Sequence, residues 1–189
     1  MKCSTSWTAE TAPPQAGWVR VLGIDPGSRR TGWGVVEERS GQLRLIDCGT
    51  ITAISRERVG FSERLACIYH ELHGIISRHQ PHEAGIEQVF VAKNAASALK
   101  LGQARGVAVA ACAAAGIPVH DYEPTLIKKS LVGIGRADKE QVRFMVARLL
   151  GVRIGGEAPE RRWGLDTSDA LGVAICHLTM RRFALLARR

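Results

Sequence analysis

Four carboxylates stand where the pattern of the chain changes: Asp25, Glu87, Asp166 and Asp169. Asp25 closes an apolar run, VRVLGID, and Pro26-Gly27 follow it at once. Glu87 closes another, AGIE, and Asp166 with Asp169 heads an apolar stretch, LDTSDALGVAIC. Carboxylate oxygens are hard ligands, and three or four of them suit Mg²⁺ or Mn²⁺ better than zinc. Two such ions roughly 4 Å apart support in-line attack on a phosphodiester, activating water and stabilising the leaving oxygen. Each acid also has an ordinary structural use. A turn Asp bonds its own backbone, a strand-end Glu sits in solvent, and Asp166 as N-cap with Asp169 at N3 stabilises a helix start.

Cations and one aromatic accompany these acids. Arg29 and Arg30 follow Asp25; Phe90, Lys93, Asn94 and Lys100 follow Glu87; Lys128, Lys129, Arg136 and Lys139 lie around a glycine-containing loop, VGIGRADK. Such cations neutralise phosphates, and an exposed Phe stacks on an unpaired base. The alternative for the lysines is a solvated surface, and for Phe90 core packing. Over the whole chain 26 Lys and Arg face 18 Asp and Glu, a net charge of +8. That balance favours an anionic partner, so an acidic centre inside it implies a bridging cation. The five cysteines are scattered without zinc spacing. His70, His73, His79 and His82 read as surface or cap residues, and His177 as structural.

The elements that must position the acids follow from periodicity. Residues 1–17 are rich in Ser, Thr, Ala and Pro and read as a disordered leader without an apolar targeting core, which suggests a cytoplasmic protein. One domain is expected over 18–186, with a basic end at 187–189. Val19–Asp25, Gly32–Glu38 and Leu43–Ile51 read as an antiparallel meander of three strands. An amphipathic helix around Phe61–Ile76 precedes a buried strand, Ala84–Glu87. A long Ala-rich helix, Ala95–Ala115, carries Gly102 and Gly106 on one face, where small residues would allow close packing. Val119–Glu123 is a fifth strand, Pro124 suits a helix start, and Asp138 with Gln141 forms a capping box. The last helix is expected from about Thr167 to Leu186. Right-handed crossovers then give an α/β, ribonuclease-H-like fold: a mixed five-stranded sheet with strand 1 beside strand 4, bringing Asp25 and Glu87 to one end.

The segments GIDPGSRRTGWGVV, IEQVFVAKNAASALKLGQARGVA, KKSLVGIGRADKEQV and DTSDALGVAICH resemble the RuvC family of bacterial Holliday-junction resolvases, over residues 19–180. The resemblance implies a magnesium-dependent homodimeric endonuclease. Such enzymes place symmetric nicks across a four-way DNA junction beside a branch-migration motor complex. It also implies catalytic acids at Asp25, Glu87, Asp166 and Asp169, basic residues near the scissile phosphate at Lys128 and Lys139, and a stacking aromatic at Phe90. The leader and the loop GGEAPERRWG depart from the family pattern. Two other readings stay open on the residues alone. Asp25-Pro26-Gly27-Ser28 fits the phosphate loop of an actin-like ATPase, which would need a second such domain; a non-catalytic junction binder would have no use for four acids facing phosphate.

Overall fold

Alternation along the first strand decides which face of the sheet carries the chemistry. In the computed structural model, β1 (Trp18–Asp25) sends Leu22 and Ile24 to one face and Val19 and Val21 to the other. Successive strand side chains point to opposite faces, so Asp25 falls on the Val19–Val21 side. The structure describes residues 18–53, 60–88, 94–152 and 164–187. The leader, Phe90, Lys93 and the loop before Asp166 therefore lie outside the described residues, as do the last two arginines of the basic C-terminal end.

β1 pairs antiparallel with β2 (Arg30–Arg39), which pairs antiparallel with β3 (Gln42–Thr52). The 19-residue α1 (Phe61–His79) crosses to β4 (Glu83–Glu87), parallel to β1. Next come α2 (Ala95–Ala114), β5 (Val119–Tyr122), α3 (Pro124–Val132), α4 (Lys139–Leu149) and α5 (Leu165–Leu186). The sheet order is β3-β2-β1-β4-β5, the expected mixed five-stranded arrangement with β1 beside β4. Helices α1 and α2 cover the Leu22–Ile24 face; α3, α4 and α5 cover the other.

Local chemistry sets the boundaries. Gly116 (φ 71°) and Gln80 (φ 45°) end α2 and α1 in left-handed conformation, and Asp138 and Gln141 form the expected reciprocal cap at 2.8 and 3.0 Å. Two expectations fail. Gly102 and Gly106 do not serve close packing, since a Cβ at either would meet nothing within 4 Å among the described residues. His82 is not a surface residue: it is buried, and its Nδ1 accepts the Arg20 N–H at 3.0 Å. Among the described residues no helix is long and apolar enough to cross a membrane.

The last helix sits unusually close to the sheet, and glycine is the reason. A Cβ at Gly23 would overlap the Ala170 carbonyl, one at Gly32 the Asp166 carbonyl, and one at Gly34 the Leu171 side chain. With those side chains absent, α5 lies on β1 and β2 with Ala170, Leu171, Val173 and Ala174 fully buried. Burial of four apolar side chains at ~25 cal/mol per Å² holds the helix there.

Candidate active site

Strand register brings the first two acids together. Ile24 pairs with Ile86 across β1 and β4, so Asp25 and Glu87, one residue further on each parallel strand, leave the sheet side by side. Asp25 also pairs with Gly32 on β2, the residue over which the start of α5 passes. The helix thereby carries Asp166 and Asp169 to the same end of the sheet. The turn after Asp25 is tied by buried Thr31, whose hydroxyl donates to the Gly27 carbonyl at 2.9 Å and accepts its N–H at 3.3 Å. Thr31 has no signature in the sequence, because a lone Thr at a strand start has no distinguishing pattern.

Asp166 is not the N-cap that its type and position allow. The helix starts two residues earlier than its periodicity suggests, with Gly164 at the N-cap. Asp166 is thus inside the first turn, and its carboxylate is free for other partners. It pairs with Arg30 (Nε–Oδ2 3.1 Å), while Asp169 accepts from Lys139 Nζ at 3.0 Å. Asp25 and Glu87 stand next to each other at the strand ends, each within the other's field.

The electrostatics follow from crowding. Burial raises the Asp25 carboxyl from 3.8 to about 8, and the charges of Glu87, Asp169 and Asp166 add to the rise. Glu87 is raised as well, by burial first and then by Asp169, against the opposing fields of Lys139 and Lys128. Acids that raise one another in this way resist ionising together without a compensating positive charge. An all-oxygen donor set that strains against its own charge fits a hard divalent cation.

The other residues singled out from sequence are placed unevenly. Arg30, Lys128 and Lys139 belong to the acidic end by ion pair or by field. Arg29, Lys129 and Arg136 are exposed; Arg29 also gives its carbonyl to Ala53 N–H at 3.0 Å. Asn94 caps α2, accepting from Ala96 N–H at 2.8 Å, and Lys100 is exposed on that helix.

A mixed sheet of this order, with acids on adjacent parallel strands and on the last helix, defines a ribonuclease-H-like nuclease. The family model described as crossover junction endodeoxyribonuclease RuvC matches residues 21–177. A curated RuvC of Oleidesulfovibrio alaskensis is 63% identical over 89% of this chain and 96% of its own length. A solved structure, T. thermophilus RuvC in complex with Holliday junction substrate, has 31% identity and a TM-score of 0.77 over 88% of this chain and 96% of that one. The yeast mitochondrial Holliday junction resolvase, 11% identical with a TM-score of 0.63 over 93% of this chain and 86% of that one, shares the fold. The chain belongs to the RuvC family of crossover junction endodeoxyribonucleases.

Proposed function

We propose that this chain resolves four-way DNA junctions by paired symmetric nicks, acting as a homodimer through one nuclease unit over residues 18–186. The observation that carries the reading is the set of four carboxylates at one end of the sheet, with Asp25 pushed up to about 8. Asp25, Glu87, Asp166 and Asp169 would hold two Mg²⁺ or Mn²⁺ ions, which when bound supply an activated water and charge neutralisation at the leaving oxygen. The chain's own residues do the rest. Asp25, whose carboxyl burial holds up, would give up its proton once the acids hold the ions. Lys139 and Arg30, now on Asp169 and Asp166, are exchanged from carboxylate to phosphate, and Lys128 joins them. Arg29, Lys129, Arg136, Asn94, Lys100, Lys93 and Phe90 extend the contact along the DNA.

The family likeness supports a cytoplasmic setting beside a branch-migration motor complex. The test is a labelled synthetic four-way junction incubated with the protein and Mg²⁺ or Mn²⁺. Paired nicks at symmetric positions are expected; intact junctions under both metals would overturn the reading.

A further inference from the structure

At the opposite end of β4 from the acids lies a second cluster of ligand-type side chains. Glu83, His120 and His177 each offer one donor atom, and these atoms lie within 4.8 Å of one another. Glu83 precedes Glu87 by four residues of strand, roughly 13 Å at 3.3 Å per residue, so the two sites share no ligand. His177 Nε2 meets Glu83 Oε2 at 2.7 Å, and the His120 and His177 rings are 4.8 Å apart. The register of β4 and β5 sets His120 opposite Gly85. A Cβ on Gly85 would press on Val173, His177 and Tyr122, so its absence gives the imidazole its place.

We propose that Glu83, His120 and His177 form a binding site for one zinc ion, separate from the nuclease centre, that ties β4, β5 and α5 together. Two imidazoles and one carboxylate are a borderline donor set suited to zinc, unlike the all-oxygen set of the acids. The outer shell is already in place. Tyr122 Oη lies 2.8 Å from His177 Nδ1, and Arg181 Nε donates to Glu83 Oε1 at 2.8 Å. Those bonds orient the ring and the carboxylate so that Nε2 and Oε2 face the shared space, the support that metal-bound histidines characteristically have. The His177 hydrogen bond, with help from Arg181, holds Glu83 down at about 2, and burial and His177 lower His120.

Entry of the ion asks for little. Tetrahedral zinc spaces its ligand atoms roughly 3.3 Å apart, so the 2.7 Å contact opens modestly and His120 swings in. His120 is exposed, which gives the ion a path and leaves a fourth position to water. The competing arrangement is the ion-free chain of hydrogen bonds from Arg181 through Glu83 and His177 to Tyr122, which stabilises the fold by itself.

Untagged, metal-free, full-length protein titrated with Zn²⁺ against a chromophoric chelator, in millimolar Mg²⁺, separates the two. One zinc per chain with Kd below about 1 μM is expected, with a rise in melting temperature. Replacing the zinc with Co²⁺ should give the intense visible bands of a tetrahedral centre. His120→Ala, an exposed change, should weaken binding more than about tenfold and abolish the thermal gain, while Mg²⁺-dependent nicking persists. Asp25→Asn should leave zinc binding unchanged, which keeps the outcome independent of the nuclease reading. No zinc bound at 10-fold excess over that Kd (about 10 μM), or equal affinity in His120→Ala, would overturn the proposal.

Discussion

Asp25 bears the heaviest electrostatic load of any residue at the acidic end, because it is half-buried and faces three other carboxylates. Asp25→Asn or Asp169→Asn should reduce nicking by more than the ~10–100-fold that loss of an outer-shell partner costs a metal site. Junction binding should survive, as gel-shift titration with the labelled junction would show. The raised Asp25 carboxyl also makes stability depend on pH. Its value of about 8 lies above the ordinary 3.8, so the folded chain holds a proton that the unfolded chain has already lost. Stability from this group is full below about pH 4 and disappears as pH rises through about 8. Metal-free wild type should therefore lose melting temperature relative to Asp25→Asn between about pH 5 and 8, and the gain on adding Mg²⁺ should grow over the same range. Parallel melting curves for the two proteins would contradict this account.

At the scale of elements, the decisive contact is α5 on β1 and β2. Gly32 lies beside Asp25 in the sheet and beneath the Asp166 carbonyl, so a methyl there acts on the site and the fold at once. Gly32→Ala should destabilise by ~1–3 kcal/mol through overpacking and should remove nicking by lifting Asp166 and Asp169. Leu171→Ala, a fully buried change in the same helix, should cost about 2–5 kcal/mol through a cavity yet retain metal-dependent nicking below its melting temperature. Gly102→Ala, on an exposed helical surface with nothing within 4 Å among the described residues, should stabilise by about 1 kcal/mol. Denaturant melts of the three variants, read beside a nicking assay, distinguish packing from placement. Equal loss of activity in Gly32→Ala and Leu171→Ala at matched stability would remove the special role given to Gly32.

For the whole molecule, the relevant quantity is a net charge of +8 carried by a protein whose reactive end is acidic. Binding a polyanion releases condensed counterions, so junction affinity should fall linearly with salt on logarithmic axes, by ~0.9 per neutralised phosphate on duplex arms. Lys128→Ala should shallow that slope by about one contact, measured by fluorescence anisotropy from about 50 to 200 mM salt. An unchanged slope would place Lys128 on acid balancing alone. Lys128 and Lys139 also exert a lowering field on Glu87, so the same substitution should raise that carboxyl.

Much of this was legible in one dimension. The strand ends at Asp25 and Glu87, the capping box at Asp138 and the family motifs are local patterns, and local patterns survive in sequence because hydrogen-bonding periods of 2 and 3.6 leave their mark on polarity. Parallel pairing of β1 and β4 also followed, since crossover handedness leaves few topologies. Other features depended on distance in space. Asp166 reads as a cap by type, yet the backbone of α5 begins at Leu165 and frees its carboxylate for Arg30. Nothing in the letters distinguishes Gly32, which seats a helix, from Gly102, which has nothing against it among the described residues. His177 reads as structural and is buried, but its meeting with Glu83 and His120 needs β4, β5 and α5 packed together. The sequence by itself determined the acids, their ribonuclease-H-like order and the family. Only the tertiary structure decided which carboxylates crowd Asp25, which cations hold the helix acids, and that a second ligand cluster lies at the far end of β4, because such contacts join residues as far apart in the chain as Arg30 and Asp166.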